Sequence, residues 1–174
     1  MGHLLALILL FAPSGEAYSP VQNTFVACGA QVPLPPGISL PGPGITSNSL
    51  ISLGCFGTGA GPYCSGRRAN ALSGYQVPSG KTFKMFHTCV EPGSTSTATT
   101  YSINWSTADA GADSGSPPAG IFWYYGYNTA DRFTSLIYGS NNQGSFIDFD
   151  VYTGKYPGGH VSGGVILRIY GYEY

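Results

Sequence analysis

The sequence predicts an all-β protein: a jelly-roll-like sandwich of two sheets, preceded by an extended, Pro/Gly-rich and nearly uncharged N-terminal arm. Three observations predict it. The 174 residues include 26 Gly and 13 Pro, which break helices, while aromatics, at 14%, suit strands. From residue 69 onward apolar residues recur with period two in short runs. Between those runs stand turn signals: Pro78-Ser79-Gly80, Glu91-Pro92-Gly93, Asn141-Asn142-Gln143-Gly144 and Pro157-Gly158-Gly159. No amphipathic helix and no internal repeat is present.

In chain order, residues 1–24 form an apolar segment and a polar link. Leu4–Ala12 is too short for a bilayer span, which needs about 20 residues. It reads either as a retained anchor or as a secretory signal, with small residues at Gly15 and Ala17 preparing cleavage before Tyr18. Residues 25–68 read as the arm, with one strand at Phe25–Leu34. Pro33-Leu34-Pro35-Pro36-Gly37 and Pro41-Gly42-Pro43-Gly44 favour extended backbone without internal hydrogen bonds. Glu16 is the sole charged side chain in the first 66 residues. A soluble surface normally carries about 25–35% charged residues, so this stretch wants cover from a core, a membrane or other subunits.

The sandwich is expected over residues 69–174. Its strands are read at Ala69–Val77, Thr82–Val90, Thr100–Thr107, Ile121–Tyr127, Phe133–Tyr138, Phe146–Tyr152 and Val165–Tyr174. With Phe25–Leu34 they make about eight, the count of a two-sheet sandwich. Alternation places Phe83, Met85, His87 and Cys89 on one face of the second run. It turns Ile147, Phe149 and Val151 inward and Asp148 and Asp150 outward.

Net charge is −1, with seven basic residues scattered singly apart from Arg67-Arg68. Nucleic-acid binding needs a dense basic footprint, so that class is excluded. The four cysteines, Cys28, Cys55, Cys64 and Cys89, allow three pairings. They lack the spacing of a zinc site. An even number suits an oxidised compartment, the alternative being four reduced, buried thiols. Cys55 and Cys64 enclose a Gly-rich loop and are the best candidates for one bridge.

Few residues form a catalytic pattern. Ser79-Gly80-Lys81-Thr82 lacks the glycine spacing of a phosphate loop and precedes a strand rather than a helix. No G-x-S-x-G elbow occurs. His87 reads as a core or interface histidine and His160 as a loop residue. Asp148 and Asp150 could brace a cation or a sugar hydroxyl, or simply solvate a strand. Asp109-Ala110-Gly111-Ala112-Asp113 lacks the alternation of a calcium loop. Glu91 and Glu173 have no carboxylate partner in sequence. The expectation is no enzyme, no cofactor and no metal. Asn104-Trp105-Ser106 is a glycosylation sequon. The aromatic groups containing Trp123, Tyr125 and Tyr127, and Tyr170, Tyr172 and Tyr174, suit an interface or a sugar-stacking surface.

The runs Ala71-Leu-Ser-Gly-Tyr-Gln-Val-Pro-Ser-Gly-Lys-Thr-Phe83 and Val165-Ile-Leu-Arg-Ile-Tyr-Gly-Tyr-Glu-Tyr174 resemble β-sandwich virion proteins of tailed phages. These are capsid decoration (cement) proteins and fibre modules. The resemblance covers residues 69–174. It implies a non-enzymatic virion protein, commonly trimeric, that bridges major capsid or other virion subunits through its arm. The cysteines and the signal-like start depart from that pattern. They leave a second expectation: a secreted or fibre-borne sandwich that binds carbohydrate or a cell-surface receptor.

Overall fold

The computed structural model describes residues 24–40, 49–57, 63–91, 98–111, 114–120, 122–123, 134–137, 145–161 and 165–174. Within them the protein is all-β, as the composition predicts, and every strand pair is antiparallel. The chain starts with β1 (Thr24–Ala27), β2 (Ala30–Pro33), β3 (Ile51–Gly57), β4 (Tyr63–Ser65), β5 (Thr82–Glu91) and β6 (Ala98–Ser106). It continues with β7 (Phe122–Trp123), β8 (Thr134–Ile137), β9 (Ser145–Tyr152), β10 (Tyr156–Val161) and β11 (Val165–Glu173).

Two sheets face each other. One runs β3-β11-β5-β9; the other runs β4-β10-β6-β7, with β8 also on β6. The main core joins them. Leu53, Phe83, Met85, Val151, Leu167 and Ile169 from the first sheet meet Cys64, Ile103 and Val161 from the second. On β9 the expected alternation holds: Ile147, Phe149 and Val151 pack into this core.

The four-stranded sheet is also covered on its outer face. There β1 and β2 form a hairpin whose Phe25, Ala27 and Val32 pack on Phe86, Cys89 and Tyr170. Its two-residue turn is Cys28-Gly29, both at positive φ (46° and 86°). That geometry matches the twist of the flanking strands, and glycine adopts it freely. The single strand expected over Phe25–Leu34 is therefore a hairpin. After it the chain turns at Pro36-Gly37, where Ile38 N donates to Pro35 O at 3.2 Å, and Leu34 and Ile38 join the outer core.

These contacts also remove the boundary expected at residue 68. β3 and β4 belong one to each sheet of the sandwich, and the β1–β2 hairpin is packed onto it. Residues 24–40 and 49–57 thus find cover within their own domain. The expected apolar segment up to residue 23, and Pro41–Gly44, lie outside the described residues.

Three further expectations change. Ala69–Val77 forms no strand; it crosses the end of the sandwich, with Tyr75 N donating to Gly66 O at 2.7 Å and Val77 N to Lys155 O at 2.9 Å. Pro157-Gly158-Gly159, read as a turn, lies inside β10. A Cβ at Gly159 would sit 2.5 Å from Leu167 Cδ2 and 2.7 Å from Ser102 O, and one at Gly158 would strike Cys64 O. Glycine stands here because neighbouring chain approaches too closely for a side chain.

The third change concerns β5. Between Met85 and His87 its register with β11 shifts, so two residues oppose one. Phe86 is the extra residue of this bulge, and side-chain parity flips beyond it. Phe83 and Met85 point into the main core, while Phe86, His87 and Cys89 face the hairpin. The single face expected for Phe83, Met85, His87 and Cys89 is therefore split in two.

Candidate functional site

Two disulfides fix the framework. Cys55 on β3 joins Cys64 on β4, tying one sheet to the other within the buried core. Cys28 in the hairpin turn joins Cys89 on β5 across a sequence separation of 61 residues. That bridge clamps the hairpin over an aromatic cluster. Phe25 lies 4.8 Å from Tyr170 and meets His87 edge-on at 5.9 Å, and His87 meets Phe146 edge-on at 5.1 Å. His87 is 1% exposed, as a core histidine would be. Tyr170 is buried beneath the hairpin, 6% exposed.

The other expected interface aromatics separate. Tyr172 is half-buried and Tyr174 is exposed, their rings 6.2 Å apart at the C-terminal end. Trp123 lies in β7, opposite Asn104. Tyr125 and Tyr127 lie outside the described residues. Asn104 itself is 2% exposed, so the sequon is closed to a glycan in the folded chain. His160 is not in a loop: it lies in β10 and packs edge-on against Tyr63 at 4.7 Å.

The carboxylates of the described residues are engaged within the fold. Lys84 bridges Asp148 (2.5 Å) and Asp150 (3.0 Å) on the outer face of the sheet. The Asp148 hydrogen bond, followed by that of Asp150, outweighs burial and raises the Lys84 pKa. Asp109 accepts N–H bonds from Gly74 and Gly111, both at 2.8 Å. Burial acts to raise its pKa, but these backbone bonds, with Ser65 and Arg67, hold it below the usual carboxylate value. Asp113 lies outside the described residues. Glu173 accepts a hydrogen bond from Tyr75, whose ring carries Arg68 at 5.0 Å. Burial and Glu173 raise the Tyr75 pKa. Ser79–Thr82 forms a turn into β5, with Lys81 N donating to Pro78 O at 3.1 Å, and no helix follows it. Among the described residues no three His, Cys, Asp or Glu side chains gather as a metal set. Nor do they contain a helix long and apolar enough to cross a membrane.

The feature that sequence reading missed is an arginine-walled hollow on the outer face of the four-stranded sheet. Gly54 of β3 pairs with Arg168 of β11 on one side. On its other side it exchanges backbone hydrogen bonds with Arg67, at 2.8 and 2.9 Å. An Arg-Gly-Arg row therefore crosses three neighbouring segments. The absent side chain in the middle opens a cavity of about 190 Å³, bounded also by Phe56, Arg68 and Ile166. Three of the chain's four arginines line this one place. Arg168 Nη2 donates to Glu91 at 2.7 Å, whereas the Arg68–Glu173 approach is 3.8 Å. The nearest signal in the sequence was the Arg67-Arg68 pair; its meeting with Arg168, 100 residues away, depends on sheet pairing.

Compared with family models, curated proteins and solved structures, the chain gives no match.

Proposed function

We propose that this protein is a non-enzymatic binding module of an oxidising compartment, a secreted or fibre-borne β-sandwich that recognises a carbohydrate or cell-surface receptor. The observation that carries the reading is the pair of disulfides, one between the sheets and one holding the hairpin. Bridges in those places are built for a setting without thiol reductants. The signal-like residues 4–17 support the same compartment. The carboxylates and histidines of the described residues serve the fold, which favours recognition over catalysis.

The test is a non-reducing mass of the protein from its natural source, coupled to a glycan-binding screen. The expected result is a chain four hydrogens lighter than its reduced form, found outside the cytoplasm and retained on a defined glycan or on cells. A chain with free thiols from a reducing cytoplasm would overturn the reading.

One observation favours virion decoration as a second reading. The strand order β3-β11-β5-β9 against β4-β10-β6-β7, with the chain passing between sheets at most connections, supports a jelly-roll reading, a build that serves viral capsids as well as lectin domains. A cement protein of this build would bridge capsid subunits by a face of the sandwich, as a trimer, because residues 24–40 and 49–57 are not a free arm. Its presence in purified particles would decide for this reading.

A further inference from the structure

We propose that the hollow walled by Arg67, Arg68 and Arg168 is a binding site for an oxyanion, a carboxylate or sulfate group, with the body of the ligand lying against Phe56. The proposal deepens the recognition reading and rests on it. Several independent features converge here. A chain with only seven basic residues places three of them around one cavity. Arg67 is half-buried and flanks Gly54 on the side opposite Arg168. Arg68, its side chain 56% exposed, lies over the Tyr75 ring at 5.0 Å and 3.8 Å from Glu173, so most of its guanidinium edge still faces solvent. A guanidinium has five N–H donors in a planar fork. Arg168, with Glu91 on Nη2, thus keeps donors beyond that bond, and planar recognition of carboxylate or sulfate is what the fork suits.

The acidic groups nearby do not fill the role of ligand. Glu91 lies at the β5 side of Arg168, and Glu173 is taken up by the Tyr75 hydroxyl. Asp109, which faces Arg67, is bound by the Gly74 and Gly111 amides. The hollow holds roughly six waters by volume, more than a bare oxyanion requires. The rest of its wall is mostly apolar, with Phe56 (44% exposed), half-buried Ile166 and Ala69 beside the single hydroxyl of Ser65. A ring carrying an acidic group fits such a wall, as in a uronic acid or a sulfated sugar. Gly54 keeps the space open, since a Cβ there would stand 2.9 Å from Arg168 Nη1.

The test is an NMR titration of the disulfide-intact full chain with sodium glucuronate, sodium sulfate and glucose at ionic strength matched by chloride. Saturable shifts at the amides of Gly54, Phe56, Ala69 and Ile166 are expected with glucuronate and sulfate, and none with glucose. Tighter binding of glucuronate assigns the ligand to an acidic sugar, and equal binding of sulfate assigns it to a free oxyanion; either upholds the site. Arg68→Gln should weaken both by about tenfold or more. Phe56→Ala should weaken glucuronate alone, and Lys81→Gln should change neither. If Arg68→Gln loses its dispersed spectrum, Gly54→Ala serves instead, because it narrows the hollow from the sheet side. Absence of saturable shifts, equal response to glucose, or full binding by a folded Arg68→Gln would overturn the site. None of these would touch the compartment reading, which is decided by the mass and location of the natural protein.

Discussion

Asp109 shows how a single side chain does structural work that its sequence context conceals. In the text it heads a Gly-rich acidic loop. In the fold its carboxylate gathers the Gly74 and Gly111 amides and so joins the 74–77 crossing to the β6–β7 connection. Because its pKa is depressed in the folded state, its contribution is present above the usual carboxylate value and fades as pH falls through the depressed value. Asp109→Asn should therefore cost about 1 kcal/mol at neutral pH, a modest figure because the group is largely exposed to solvent. That is roughly 2–4 °C in Tm for a chain of this size. The difference between mutant and wild type should close as the pH is lowered below about 4, measured by thermal unfolding across pH. Residue-level glycines carry the complementary lesson. Gly158, Gly159 and Gly171 each stand where a Cβ would collide with a neighbouring strand, so the Pro-Gly-Gly text that signals a turn here marks a crowded strand.

At the scale of elements, the hairpin and the two strands after it decide whether the N-terminal third is arm or domain. Deleting residues 1–68 removes β1 to β4, half of each disulfide or more, and the buried Leu53, Cys55 and Cys64. Each large core side chain so lost is worth about 2–5 kcal/mol, against a typical total stability of about 5–15 kcal/mol. The fragment 69–174 should therefore be unfolded by circular dichroism and NMR, whereas a free arm would leave a folded sandwich behind. The period-two pattern located β6, β9 and β11 well because their inner residues alternate cleanly. It located β5 but assigned half of its faces wrongly, since the bulge at Phe86 inserts one residue and flips every side chain beyond it. β3 was missed because Ile51-Ser52-Leu53-Gly54-Cys55-Phe56 carries a glycine at the position that opens the arginine hollow. The signal was there in weak alternation, masked by the Pro-rich text before it.

For the whole molecule, the disulfides set the energetic frame. In the loop-entropy account, the Cys28–Cys89 bridge contributes about 4 kcal/mol and Cys55–Cys64 about 3 kcal/mol. Their sum is comparable to the net stability of an ordinary domain. Reduction with a phosphine under native buffer should then lower Tm by well over 10 °C or unfold the chain, read by calorimetry with and without reductant. An unchanged Tm would mean that the cores alone hold the protein. The sequence by itself determined the all-β class and the inward alternation of β9, because these follow from composition and from the two-residue repeat of a strand. Only the tertiary structure decided that the uncharged N-terminal stretch is part of the domain, that His87 and Cys89 face the hairpin, and that Arg67 and Arg168 flank Gly54. Those facts rest on pairing between segments as far apart as β3 and β11, and pairing partners are chosen by the packing of the whole chain rather than by any local run of residues.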